Sequence, residues 1–213
     1  MDYRLKLKLL IDELKEQGIN DFQVLKAIED VHRHLFIPKE LEDEAYENYP
    51  LDIGHKQTIS QPYTTAFMLQ ALELISNDKV LEIGAGSGWS TALIAFITKP
   101  GKVYSIETIE ELSTFARKNI RKVKLTNVKI ITGDGSKGLK KFAPYDKIIV
   151  NAACARMPQI LIEQLKENGV LVAPIGSLYE QEMVKVTKVK GKVTKEELGG
   201  FIFVPLVSEE YGF

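Results

Sequence analysis

Residues 82–88, Glu-Ile-Gly-Ala-Gly-Ser-Gly, set an acid before three glycines at alternate positions. The apolar pair Val80-Leu81 precedes them, and the almost wholly apolar stretch 89–97 follows. A short apolar run is the pattern of a buried parallel strand. Glycine is needed where backbone turns tightly or comes close to a ligand, and a helix starting after the turn aims its free N–H groups back over the strand. The spacing is not the G-x-G-x-x-G of dinucleotide sites. A pyrophosphate asks for bare N–H groups, whereas a sulfonium with an α-amino group asks for an acid. Glu82 therefore favours S-adenosylmethionine over NAD, although the glycine turn alone also fits an ordinary strand–helix loop.

Two further acids close apolar runs. Glu107 follows Val103-Tyr104-Ser105-Ile106, and Asp134 sits within Gly133-Asp134-Gly135 after Val128-Lys129-Ile130-Ile131. Ligands of open parallel sheets lie off the carboxyl ends of the strands, so Glu82, Glu107 and Asp134 are expected to rim one crevice. Glu107, about twenty residues past the glycine turn, can take both ribose hydroxyls. Asp134 can accept from an adenine amino group. Each acid singly could instead be a helix cap or a solvated loop charge.

A second cluster, Gly54-His55-Lys56-Gln57-Thr58-Ile59-Ser60-Gln61-Pro62, is dense in hydroxyls and amides. It reads either as a turn whose Ser60 or Thr64 caps a helix starting near Thr64, or as a substrate loop laid across the glycine turn. Spacing leaves both open. His32 and His34 stand two apart with no third ligand at metal spacing and His55 remote, so they read as solvated or capping, and no metal is expected. The single cysteine, Cys154, excludes an internal disulfide, fits a reducing compartment, and has no base beside it.

These residues need a scaffold. The chain has 213 residues, 28 basic against 29 acidic. That suits one α/β domain and argues against nucleic acid as a partner. The start lacks a signal-peptide h-region, and no apolar run approaches the roughly 20 residues of a membrane span. A cytoplasmic protein is expected. Periodicity predicts helices near 3–17 and after Asn20-x-x-Gln23, which resembles a capping box. Residues 36–61 lose periodicity and read as a long functional loop. Met68, Ala71, Leu72 and Ile75 mark a helix face, as do Ile109, Leu112, Ala116 and Val123. Ile148-Ile149-Val150 and Val170–Ala173 give two more strands around a helix running from Pro158 to Asn168-Gly169. Met183–Val189 and 201–206 are expected to pair as an antiparallel hairpin. The fold is thus α/β, a mostly parallel doubly wound Rossmann-like sheet. An N-terminal helical extension and substrate loop fill 1–62, a cofactor core 63–176, and the hairpin with its tail 177–213.

The combination of Ile53-Gly54-x-x-Gln57-Thr58-Ile59-Ser60-Gln61-Pro62, the glycine turn, Gly133-Asp134-Gly135, Ala143-Pro144-Tyr145-Asp146 and Phe203-Val204-Pro205-Leu206 resembles the protein-L-isoaspartate O-methyltransferase family. The likeness runs from the N-terminal helices to about Leu206; Thr-Ile-Ser with Pro62 is its specific part. It implies a class I S-adenosylmethionine-dependent fold that methylates the α-carboxylate of L-isoaspartyl residues in damaged peptides and proteins. It also implies Ser60 as the active-site residue. Cofactor contacts would come from Gln57, Thr58, Ile59, Ser60, Glu82, Gly84, Ala85, Gly86, Gly88, Glu107, Thr108, Asp134 and Gly135. Substrate contacts would come from Thr58, Ile59, Ser60, Val204 and Leu206. A homologue methylating ordinary aspartate, and a non-catalytic reader of modified aspartate, are the alternatives; nucleic-acid methylation lacks its Asn/Asp-Pro-Pro-aromatic motif here. Three departures stand out. Lys56 replaces a common glycine, which costs about 1–2 kcal/mol if φ is positive, unless its ammonium attracts the substrate. Asn151-Ala152-Ala153-Cys154 lacks the usual threonine and proline. The tail after Leu206 is short, and contacts that longer members make there are expected to be missing.

Overall fold

The computed structural model describes residues 3–208 and 211–212. Leucines three and four apart form α1 (Tyr3–Glu16), which buries Leu7, Leu10 and Leu14. In α2 (Phe22–Asp30) the cap is Asp21, whose carboxylate accepts from the N–H groups of Gln23 and Val24. The expected Asn20 box is not formed; the Asn20 and Asp21 N–H groups donate to Gln70 Oε1 instead, at 2.7 and 2.9 Å. His32 is exposed, as expected, and stacks on His34 with centroids 5.5 Å apart, whereas His34 is half-buried and neither capping nor simply solvated. His34 stacks on Tyr3 with centroids 4.7 Å apart, and its Nδ1 lies 2.7 Å from the Tyr46 hydroxyl.

The region expected to be a long loop is ordered into short pieces. Two 3₁₀ turns (Arg33–Phe36 and Lys39–Glu44) lead to a hairpin of β1 (Leu51–Gly54) and β2 (Gln57–Ile59). Strands this short show too few alternations to be read as strands, and 3₁₀ turns have a period of three. Leu51, Ile53 and Ile59 fasten the hairpin to the core. His55 and Lys56, at φ 57° and 58°, turn it in the left-handed conformation that two-residue hairpin loops require. Next comes α3 (Pro62–Leu72), with Pro62 in its first turn. Neither Ser60 nor Thr64 caps it; the Tyr63 N–H donates to Asn48 Oδ1 at 3.0 Å. Met68 and Leu72 are buried as expected, but Ile75 lies past the helix end and is exposed.

The sheet follows: β3 (Val80–Ile83), α4 (Trp89–Thr98), β4 (Val103–Glu107), α5 (Glu110–Lys122), β5 (Val128–Thr132), β6 (Tyr145–Val150), α6 (Gln159–Glu163), β7 (Leu165–Gly176), β8 (Gln181–Val189) and β9 (Lys192–Phe201). Their order is β5-β4-β3-β6-β7-β8-β9, parallel through β7 and antiparallel at both later pairings. The order reverses at β3, which lies between β4 and β6. One apolar cluster joins α1–α4 to one face of the sheet, and a second covers the other face around Leu81, Ile148 and Leu171. Among the described residues no helix is long and apolar enough to cross a membrane.

Two expectations change. The helix from Pro158 is only five residues long, and Asn168-Gly169 is not its end but part of β7, where the pairing with β6 is irregular. The return strand of the hairpin is not 201–206 but the largely exposed Lys192–Phe201, an edge strand whose charges discourage further pairing. The apolar 203–206 segment leaves the sheet plane instead. Ala153 N–H donates to Val204 O at 2.8 Å, and Leu206 N–H donates to Ala153 O at 2.9 Å.

Lys56 is exposed at φ 58°. Lys56→Gly should relieve left-handed strain and lose part of that gain to the freer unfolded chain. The net expectation is a gain of about 0.5–1 kcal/mol in urea unfolding.

Candidate active site

A cleft opens above the carboxyl ends of β3, β4 and β6, at the reversal of strand order where an α/β sheet presents its ligand site. It holds about 910 Å³ including its open mouth, within the usual size of a small-molecule site. Its floor is the glycine turn. Gly84, Gly86 and Gly88 take φ of 88°, 52° and 87°, which side chains with a Cβ adopt at a cost. At Gly88 a Cβ would also stand 3.2 Å from the Ala116 backbone, so the glycine sets how closely α4 and α5 approach.

The two strand-end acids diverge. Glu107 lines the cleft; Gly86 N–H donates to its Oε2 at 2.8 Å, and Ile109 N–H donates to Oε1 at 3.0 Å. A carboxylate has about four lone-pair sites, so acceptor capacity remains for a ligand diol. Glu82 is fully buried and does not border the cleft. Strand alternation turns it to the Val80 face, beneath α4. There it accepts from the Thr91 hydroxyl, from Ser105 Oγ at 2.6 Å and from Asn151 Nδ2 at 3.0 Å. Burial raises its pKa, against those hydrogen bonds. Asp134 is exposed and accepts from Ser136 N–H at 2.8 Å, while its neighbour Gly135 lines the cleft. The expected single rim of three acids is therefore one acid at the rim, one below the floor and one outside the cleft.

The hydroxyl cluster does lie across the glycine turn. Gln57, Thr58, Ile59 and Ser60 line the cleft from one side, Val204 and Leu206 from another, and Ala85 and Thr108 also border it. Gly88, like Glu82 and Asp134, does not border it. Along β2 Ile59 points into the core, which places Thr58 and Ser60 together on the opposite side. A second cavity, lined by Pro50, Gln61, Thr64, Ile202 and Phe203, meets the cleft at Thr58, Ser60, Asn151 and Val204. Among the described residues neither hydroxyl is bonded within the protein, and Glu107 is the one ionisable group lining either cavity.

Arg33, which nothing in the spacing marked, holds this wall in place. Its buried guanidinium donates to the carbonyls of Ala45 (2.8 Å), Glu47 (3.4 Å), Tyr49 (3.1 Å) and Ser60 (3.1 Å), and lies 5.5 Å from the Trp89 ring centroid. Burial lowers its pKa to about 9. Asn151 is marked in the sequence only as a departure from the family pattern; it directly follows β6, and its neutral side chain carries none of the charge that marks the strand-end acids.

The family model described as protein-L-isoaspartate(D-aspartate) O-methyltransferase matches residues 5–211. The chain belongs to this family. A relative from Dictyoglomus turgidum named protein-L-isoaspartate O-methyltransferase is 50% identical, over 99% of this chain and 94% of its own. One from Methanoculleus marisnigri with the same name is 46% identical, over 92% and 89%. A solved structure from Plasmodium falciparum, assigned to the same family and in complex with S-adenosyl-L-homocysteine, superimposes with a TM-score of 0.83. It is 30% identical and covers 93% of this chain and 97% of its own. The fold is that of the class I S-adenosylmethionine-dependent methyltransferases.

Arg33→Met should cost at least about 3 kcal/mol, because several buried carbonyls lose their donor. Arg33→Lys should recover only part, since an ammonium cannot fork to four acceptors; equal stability of the lysine variant and the parent would show that the fork is not needed. Glu82 binds its proton more tightly when folded, so its contribution to stability falls as pH rises from the ordinary 4.5 through the raised folded value. Glu82→Gln should therefore gain stability relative to the parent as pH rises across that window, read from urea unfolding at several pH values. Parallel curves would show that folding leaves the Glu82 pKa unchanged.

Proposed function

We propose that this chain methylates the α-carboxylate of L-isoaspartyl residues through a site that works by positioning rather than by acid–base chemistry. The observation that carries this reading is the meeting of the two cavities at the free hydroxyls of Thr58 and Ser60, with Glu107, across the cleft, the one ionisable group among the described lining residues and no cation beside it. An α-carboxylate has a pKa of about 3.5, so it arrives ionised at pH 7 and needs no base. S-Adenosylmethionine, when bound, supplies a methyl group already activated by its positive sulfur.

The fit to that donor rests on Glu107, whose carboxylate is fixed by two backbone amides at the cleft rim with capacity left for the ribose hydroxyls. Gly84, Ala85 and Gly86 let the donor approach the backbone. Thr108 and Gly135 border it towards the adenine, and Asp134 stands outside to meet the amino group. Gln57 and Ile59 close the cleft. Thr58 and Ser60 hold the carboxylate by hydrogen bonds without neutralising it as a lysine would, and keep it in line for attack. Val204 and Leu206 border the peptide. Glu82 and Gly88 serve from below, fixing Asn151 and the helix packing. The neighbouring backbone nitrogen then attacks the ester carbonyl and expels methanol, giving a succinimide that water opens either to normal aspartate or back to isoaspartate. Peptides and proteins carrying isoaspartate are the partners in this reading, nucleic acid and membranes are not, and the cytoplasm is its place.

Incubation with methyl-labelled cofactor and paired peptides, one isoaspartyl and one aspartyl, should label the isoaspartyl peptide alone; equal or absent labelling overturns the reading. Ser60→Ala should lower kcat/KM by about ten- to a hundredfold, the worth of one hydrogen bond to a charged group.

A further inference from the structure

One side chain at the meeting of the two cavities is neither a hydroxyl nor an acid. Asn151 follows β6 directly and borders both spaces. Its Nδ2 is committed inwards, donating to Glu82 Oε1 and to Gly84 O, each at 3.0 Å, and to Ser90 Oγ at 3.5 Å. The Gly84 carbonyl can only accept, so the amide is held this way round whatever the charge on Glu82. Among the described residues no group donates to Oδ1, and this oxygen is not one of the buried atoms that lack a partner. Unpaired and not enclosed, it keeps open surface on a residue that borders both cavities.

We infer that Asn151 is a catalytic residue whose Oδ1 contacts the methyl group in transit, facing the positive charge that the sulfonium spreads onto that carbon. The inference rests on the reading of the site given above. A carbonyl dipole with its negative end fixed toward a developing charge needs no reorganisation during the reaction. A neutral amide oxygen is also a poor nucleophile, so it does not compete for the methyl as an aspartate there would. It repels the substrate carboxylate, which is left to Thr58 and Ser60. Asn151 exchanges no proton: the carboxylate oxygen forms the new C–O bond as the sulfur keeps the electron pair of the broken S–C bond. Glu82 is then a positioning residue, acting through the amide it holds.

S-Adenosylmethionine and S-adenosylhomocysteine differ only in the methyl group and its charge. Calorimetric titration of the full chain with each, for the parent, Asn151→Leu and Asn151→Thr, separates this contact from general damage. Both variants should shift the affinity ratio against S-adenosylmethionine by about two- to fivefold, the worth of one C–H···O contact. The threonine variant keeps an inward donor and carries the test should the leucine variant not fold. An unchanged ratio, whether both affinities hold or both fall together, overturns the assignment. So does a raised KM for the isoaspartyl peptide at an unchanged ratio, which would give Oδ1 to a peptide N–H. A parent chain that binds neither nucleoside overturns the functional reading itself, and the assignment with it.

Discussion

A buried guanidinium answered by carbonyl oxygens and the face of Trp89 joins the amino-terminal part of the chain to the site. Arg33 is 1% exposed, and its partners are the backbone of 45–49 and of Ser60. Burying a charge without an opposite charge is costly, and the carbonyl dipoles offset that cost only while they converge. The charge therefore dictates the path of the 3₁₀ turns and of β2, and with it where the two hydroxyls stand. Trp89 completes the arrangement from the glycine turn's side, since its Nε1 donates to Val31 O at 3.0 Å.

Two glutamates at the ends of neighbouring strands show how environment divides one residue type into two uses. Glu107 faces backbone amides at an open rim and stays available to a ligand. Glu82 faces α4, loses its water and is answered by two hydroxyls and an amide. Its hydrogen bonds tie β3, β4, α4 and the end of β6 together beneath the cleft. The floor is thereby polar within, and with Glu107 the one ionisable group among the described lining residues, most of the charge of the reaction is left to the reactants.

What the sequence by itself determined is whatever local faces report: the strand and helix alternation, the glycine turn, and Glu107 at its strand end. Apolar periodicity and glycine's freedom are properties of a few neighbouring residues, and they survive folding. Tertiary structure decided the rest. Whether an acid at a strand tip meets solvent or a helix depends on partners such as Thr91, Ser105 and Asn151, which are distant in sequence. The return strand fell on the polar 192–201 because an edge strand needs backbone pairing on only one side, while the apolar 203–206 was drawn over the site by its contact with Ala153. Arg33 carried no signal at all, because a charge satisfied by backbone carbonyls leaves no complementary side chain in the sequence to find.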